Sequence, residues 1–371
     1  MRVVHVAPSY CRRDGGPSEV LRGLLPQLEA KGLDVALVTT DKGLSETERA
    51  DPPVRATVVR PHRGPYSLSY ARGLRRAVRT AVEGADVVHV HGVDNYASVV
   101  GMREAARAGV PFVLQPHGAW NAYHRAQGRA KKWLWGRIWQ DRAVTRAAAV
   151  IVSSSIEQRD ARAVVGPGHV LVTAPLGVDE ELFAIDTPWD ERDGLLFLGR
   201  VAQKKRLDTV LLALQVARES RGLRSTLTVA GPVDTDLGYD PGALVGMHGL
   251  TGAVRFVGHV GREDRRRLLA SHRCFVLMSD DESFGMAAAE AAAAGLAVVA
   301  SPGVGAIADA QADGVGHVVE GDADQLAVAL GAATVDAAPG SVAALREYAR
   351  AHWTWDASSS RVLDAYLGAV S

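Results

Sequence analysis

Short β-branched runs alternate with longer amphipathic stretches along this chain, and the alternation happens twice. The first series of candidate strands is Val3–Ala7, Val35–Thr39, Val54–Val59, Val87–Val90, Phe112–Gln115, Val150–Val152 and Val170–Thr173. Helical patterns lie between them at Pro17–Ala30, Leu68–Val82, Ala97–Ala108, Lys131–Ala147 and Ile156–Val165. Strands of this kind, separated by helices, cannot pair as hairpins. They predict a parallel sheet covered by helices on both faces. The stretch Ala174–Asp179 has turn composition and no period, which suits a linker. A second series follows, with strands at Leu195–Leu198, Thr226–Ala230, Val254–Val257, Cys274–Leu277, Ala297–Ala300 and His317–Val319. Its helices are Leu207–Glu219, Glu263–Ala270, Met286–Ala294 and Asp324–Leu330. The reading is an α/β chain of two doubly wound, Rossmann-like domains, residues 1–178 and 179–354, with a last helix over 355–371. A length of 371 residues accommodates two such domains.

Charge excludes less than its total suggests. The chain has 42 basic and 42 acidic residues, which argues against a nucleic-acid binder that works by bulk charge. Residues 1–180, however, hold 25 Lys/Arg against 17 Asp/Glu, a net of +8, and the remainder is −8. Two cysteines, Cys11 and Cys274, give no disulfide framework and no cysteine-based zinc site. The chain opens as a strand rather than a signal peptide, and no 18-residue apolar run appears. The expectation is a cytoplasmic protein.

Doubly wound sheets bind ligands beyond the carboxyl ends of their strands, so two such domains in tandem imply a cleft between those ends. The chemically informative residues fall there. After the first strand, Gly15-Gly16 precede Pro17 at a helix start, where free N–H groups can hold a phosphate; an ordinary turn has the same composition. This is not the GxGxxG fingerprint of nicotinamide enzymes. The fifth strand ends in Gln115-Pro-His-Gly118, followed by Trp120 and Asn121, which aims an imidazole at the cleft. In the second domain Gly199-Arg200 ends the first strand, and Lys204-Lys205-Arg206 precedes a helix. Four cations where a helix dipole repels them predict a bound polyanion, with a solvated basic loop as the alternative. The densest cluster is Asp280-Asp-Glu-Ser-Phe-Gly-Met286, running into Glu290. Eight residues turn an ideal helix by about 80° net, which would let Glu282 and Glu290 look toward one cleft.

Taken in this order, these residues resemble the retaining glycosyltransferases of family 4, which have the GT-B fold of two facing Rossmann-like domains. The matching pieces are Gly15-Gly16, His117-Gly118, Pro175–Asp179, Gly199-Arg200 with Lys205, and Glu282-Ser-Phe-Gly285 with Glu290. The first half is most similar to enzymes of bacterial exopolysaccharide and surface-glycan synthesis. The resemblance implies an acceptor-binding first domain, a donor-binding second domain, and a C-terminal helix that crosses back to the first. Arg200 and Lys205 would hold the diphosphate of a nucleotide-sugar, UDP- or GDP-linked, and stabilise the charge of the departing phosphate. Glu290 would bind the ribose. Glu282, Ser283 and the backbone N–H groups around Phe284, Gly285 and Met286 would hold the sugar, with Gly199 and Gly15-Gly16 admitting the phosphates. His117 would lie beside the sugar, and Gly118, Trp120 and Asn121 beside a glycan, lipid-linked or small-molecule acceptor. No metal or other cofactor is expected, since cationic side chains replace the metal in this fold.

Two residues depart from the family pattern: Arg206 stands where glycine is usual, and Gln203 replaces a frequent proline. Asp234-Thr-Asp236 spells a metal-binding DxD, but it lies in a Gly/Pro-rich loop and reads as solvated. Arg129–Trp139 combines basic residues with three tryptophans, and residues 52–82 carry seven arginines and no acid. Such surfaces can dock on anionic membrane at the inner face of the cell membrane, or be core tryptophans beside a solvated face. Rival readings are a nucleotide-sugar 2-epimerase of the same fold and a catalytically silent glycan- or nucleotide-binding protein.

Overall fold

Seven parallel strands make up the sheet of the first unit in the computed structural model, which describes residues 1–60, 62–63, 68–126, 140–336 and 339–371. They are β1 (Arg2–Val6), β2 (Asp34–Thr40), β3 (Ala56–Val59), β4 (Val87–His91), β5 (Phe112–Gln115), β6 (Ala149–Val152) and β7 (Leu171–Thr173). Their spatial order is β3-β2-β1-β4-β5-β6-β7, so the winding reverses between β1 and β4. The helices that matter below are α1 (Gly16–Ala30), α2 (Leu74–Val82), α3 (Tyr96–Ala108) and α4 (Ser155–Val165). The second unit has five parallel strands, β8 (Leu195–Leu198), β9 (Leu227–Ala230), β10 (Val254–Gly258), β11 (Cys274–Leu277) and β12 (Ala297–Ala300). Their order is β10-β9-β8-β11-β12, reversing between β8 and β11. Its helices include α5 (Leu207–Arg221), α6 (Arg262–Ser271) and α7 (Met286–Ala293). The units comprise Met1–Gly177 with Trp355–Ser371, and Val178–Thr354.

Period-two alternation divides the first sheet into two chemically different faces. Val4 and Val6 of β1, Val88 and Val90 of β4, and Leu114 of β5 join Leu74, Val78, Ala97 and Met102 in one apolar core. The intervening residues, His5, His89, His91 and Gln115, are also buried, and they give the other face a polar centre. The last helix, α8 (Trp355–Val370), contributes Tyr366 to that face. Trp355 anchors α8 within the first unit. A Cβ on Gly23 of α1 would lie 2.0 Å from the Trp355 ring, and one on Gly177 2.4 Å from it. Only glycine leaves room for the indole at both places.

Three expectations need correction. The stretch Leu68–Val82 becomes helical only from Leu74: Tyr70–Ala71 pairs antiparallel with His62–Arg63, and Gly73 turns the chain with φ 94°. The predicted strand His317–Val319 is reduced to one bridge, Ala300 to Val318. Glu282 precedes α7, which starts at Met286, so the helical-phase argument relating Glu282 to Glu290 does not apply. The basic-aromatic segment 129–139 lies outside the described residues.

Candidate active site

The strand order reverses between β8 and β11, and the loops leaving those two strands carry the predicted donor residues. They are tied together by backbone. The Asp280 N–H donates to the Lys204 carbonyl (2.8 Å), and Ser279 Oγ donates to the same oxygen (3.1 Å). On the other side of β8, a Cβ on Gly231 after β9 would meet the Gly199 carbonyl oxygen at 2.0 Å, so only glycine lets those two strand ends come this close. Lys205 Nζ lies 3.0 Å and Lys204 Nζ 3.7 Å from Glu282 Oε1, all three side chains being mostly buried. Lys204 also donates to the Asp281 carbonyl (2.9 Å). A Cβ on Gly199 would sit 3.1 Å from Lys205 Nζ, so the glycine keeps the ammonium against the chain. Glu282 is fixed at both backbone groups: its N–H donates to Gly303 O (2.7 Å), and its carbonyl accepts from the Gly305 N–H (3.0 Å).

The other predicted donor residues are arranged differently. The Arg200 guanidinium is exposed and turns to Asp234 at 3.6 Å. Asp234 is therefore a partly exposed ion-pair partner in that loop. Glu290 is buried on α7 and accepts from Arg265 of α6 (2.7 Å). Phe284 is buried with its ring edge-on to Trp353, so only its backbone is available to a ligand. Gly285 starts α7 at φ 94°, with Val304 Cγ1 2.6 Å from where a Cβ would be. Ser283 and Met286 flank it, and the first N–H groups of α7 have no intrahelical acceptor.

Arg206 adopts φ 49°, ψ 46°, the left-handed region, which is the conformation glycine provides without strain. Its guanidinium bonds Asp208 (3.2 and 3.3 Å) and reaches Asp280 (3.5 Å). The departure from the family residue thus keeps the backbone and adds a side chain that braces the start of α5 against the 280s loop.

In the first unit, Gly15 has φ 72°, and nothing lies within 4 Å of a Cβ on Gly15 or Gly16. Asp14 beside them takes Lys42 Nζ at 3.1 Å. His117 is also left-handed (φ 53°), followed by Gly118 at φ 75°. This loop is held by Glu157, a buried carboxylate on α4 that the sequence reading missed. It accepts the Gly118 N–H (2.6 Å), the Ser153 N–H (2.8 Å) and the Ser153 hydroxyl (2.6 Å). Burial pushes its carboxyl up, and these donors oppose the shift. Trp120 is only 6% exposed and packs in the apolar core. Asn121 is buried as well.

Behind His117 lies a cluster that spacing along the chain does not reveal. His91 Nδ1 is hydrogen-bonded to His117 Nε2 (3.0 Å), and His5 Nδ1 to His91 Nε2 (2.9 Å). Tyr366 Oη lies 3.4 Å from His5 Nε2 and 2.6 Å from His89 Nδ1. Burial holds all four imidazoles down, His5 to about 3 and His117 to about 4, so they are neutral at pH 7. His5, His89 and His91 each offer a ring nitrogen within 4.8 Å of the others, close enough to share a cation. The pattern Val87-Val-His-Val-His91 was the available signal, since alternation puts both histidines on one sheet face.

The basic surface of the first unit is partly neutralised. Arg75, Arg79 and Arg107 converge on buried Glu104, and Arg55 pairs with Asp34. Among the described residues no helix is long and apolar enough to cross a membrane.

Residues 15–177 match the glycosyl transferase 4-like domain, and residues 179–352 match glycosyl transferases group 1. The chain is 30% identical over 309 residues to a GDP-mannose:cellobiosyl-diphosphopolyprenol alpha-mannosyltransferase of Xanthomonas oryzae pv. oryzae, covering 81% of this chain and 78% of that one. It is 30% identical over 381 residues to a D-inositol 3-phosphate glycosyltransferase of Mycobacterium avium, covering 92% and 86%. Among solved structures, Anabaena HepE in complex with UDP superposes with a TM-score of 0.77 at 18% identity, over 98% of this chain and 99% of that one. Sucrose-phosphate synthase of Thermosynechococcus elongatus gives 0.71 at 20% identity, over 99% and 98%. With both families matched in order along nearly its whole length, the chain belongs to the family 4, group 1 glycosyltransferases and has the GT-B fold.

Proposed function

We propose that this glycosyltransferase moves a hexose from a UDP- or GDP-sugar to a glycan, lipid-linked or small-molecule acceptor, with retention of anomeric configuration and without a metal. The observation that carries this reading is the pair Lys204 and Lys205 held against Glu282 where the second sheet reverses. Lysine has three donors, so Lys205 can keep Glu282 as an anchor while its other N–H groups meet phosphate. Arg200, exposed on the same loop, exchanges Asp234 for the second phosphate. Charge that develops on the leaving diphosphate is then met by cations already in position, the role a metal plays elsewhere. Glu290 takes the ribose hydroxyls, and the N-terminal N–H groups of α7 take the sugar. In the first unit, His117 lies beside the sugar, and Gly15-Gly16 admit the phosphates.

The Xanthomonas relative acts on a lipid diphosphate. Together with the basic first half, it supports an acceptor of that class, exopolysaccharide or surface-glycan synthesis, and a cytoplasmic enzyme that docks peripherally on membrane. The test is release of nucleoside diphosphate from a donor panel with and without EDTA. Release that survives EDTA and vanishes in Lys205→Ala supports the reading. Release that requires a divalent ion refutes its metal-independent half.

A further inference from the structure

The histidines behind His117 form, with Tyr366, a single file in which every ring nitrogen but the two at its ends is hydrogen-bonded. Two observations give that file a direction. The first is the asymmetry at Tyr366 Oη: 2.6 Å to His89 Nδ1 but 3.4 Å to His5 Nε2. Hydrogen bonds given by a hydroxyl are shorter than those given by an N–H. The phenol therefore donates to His89 and accepts from His5. The second is at the far end. With Nδ1 accepting, a neutral His89 carries its proton on Nε2, and that nitrogen is buried with no hydrogen-bond partner. The carboxamide of Gln115 bears on His89, and its Oε1 is likewise buried without a partner. Gln115 Oε1 is thus an unsatisfied acceptor on the same polar sheet face as His89 Nε2, which the Tyr366 geometry makes an unsatisfied donor.

We propose that His89, Tyr366, His5 and His91 form a one-way hydrogen-bond chain, its direction favoured by the Gln115 acceptor on the same face, that locks His117 with its proton on Nε2 and presents a bare Nδ1 as a hydroxyl acceptor. From His5 Nε2–H to Tyr366, each neutral ring must accept on its other nitrogen: His5 Nδ1 from His91 Nε2–H, and His91 Nδ1 from His117 Nε2–H. His117 Nδ1 has no partner among the described residues. A neutral acceptor of this kind fits a sugar hydroxyl, and the His91 bond and the loop held by Glu157 keep His117 in its left-handed conformation at the end of the file. The role given to Nδ1 rests on the placement of His117 beside the transferred sugar; the chain itself does not. Tyr366, on the last helix, is a positioning residue that acts on His117 through two imidazoles, His5 and His91.

The experiment is long-range ¹⁵N–¹H NMR of the full chain with ¹⁵N-histidine, the His117 signals being assigned by their loss in His117→Gln. The expected spectrum shows a protonated Nε2 and an unprotonated Nδ1 at His117. Tyr366→Phe keeps the ring and removes the oxygen, and Gln115→Met removes the terminal acceptor. Each should convert His117 to a mixture of tautomers, with turnover falling in proportion to the fraction that keeps Nδ1 bare while donor KM stays put. If Tyr366→Phe does not fold, Gln115→Met makes the same test. A proton on Nδ1 in the wild type, or bound zinc that shifts the His5, His89 and His91 nitrogens, overturns the chain. The predicted tautomer together with a fully active His117→Ala would uphold the chain and overturn the role beside the sugar.

Discussion

Arg206 is the position where sequence and backbone disagree most openly, and its substitution yields a signed prediction. The residue has φ 49°, ψ 46° and caps α5 without a side-chain cap bond. A Cβ in that conformation costs about 1–2 kcal/mol. Glycine avoids this but loses about 0.5–1 kcal/mol in backbone entropy on folding, so glycine should be favoured over alanine by roughly 0.5–1 kcal/mol. The guanidinium's pairs with Asp208 and Asp280 act in the other direction. The Arg206 and Asp208 side chains are 41% and 40% exposed, so solvent screens that pair, which is worth about 0.2–1 kcal/mol. Arg206→Ala loses the pairs and keeps the strain, whereas Arg206→Gly loses the pairs and sheds it. The expected order of stability is wild type close to Arg206→Gly, with Arg206→Ala lowest. For a unit of this size the two variants should differ by about 1–3 °C in Tm. Thermal unfolding followed by circular dichroism reads this, and 1 M salt should narrow the gap between wild type and Arg206→Ala. Equal stability of the two variants, or Ala above Gly, would refute the strain argument.

Other outcomes follow from the same contacts. Arg200→Ala and Lys205→Ala should each lower turnover by at least ~100-fold in a diphosphate-release assay, the scale of lost preorganised charge; near-normal rates would remove the phosphate assignment. Gly23→Ala drives a methyl into the Trp355 indole and should cost about 1–3 kcal/mol in urea unfolding, with Trp355→Leu in the same chain restoring part of it. Stability should also fall as the pH drops below about 6.5, where unfolded histidines take protons. Folded His5 and His117 refuse protons down to about 3 and about 4, so each contributes a slope of up to about 1.4 kcal/mol per pH unit in that window. Urea titrations from pH 7 to pH 4.5 that show no slope would mean these rings are protonated in the folded chain.

The sheets were legible because buried parallel strands must be apolar and β-branched along their whole length, and β5, β8, β11 and β12 were read to the residue. The switch-point loops were legible through glycine, because Gly199 and Gly285 occupy positions where a Cβ meets Lys205 or Val304. What escaped was assembled across the chain. His5, His89, His91, His117 and Tyr366 come from three strands or their ends and the last helix, and no local pattern relates position 5 to position 366. Trp120 shows the converse: after a strand end a tryptophan can face a ligand or pack in the core, and only its neighbours place its ring there. The start of α2 was placed six residues early because Leu68 and Ala71 continue its apolar period, and that period carries no sign of the antiparallel pairing of Tyr70 with Arg63.

The central claim is that a sugar leaves a nucleotide held at Lys205 and joins a second molecule. Mass spectrometry of acceptor after incubation with UDP- and GDP-sugars tests it directly. The predicted result is an acceptor one hexose heavier, in equal amount to the nucleoside diphosphate released, with both products lost together in Lys205→Ala. Free sugar in place of glycosylated acceptor, or product formed undiminished by Lys205→Ala, would contradict the account.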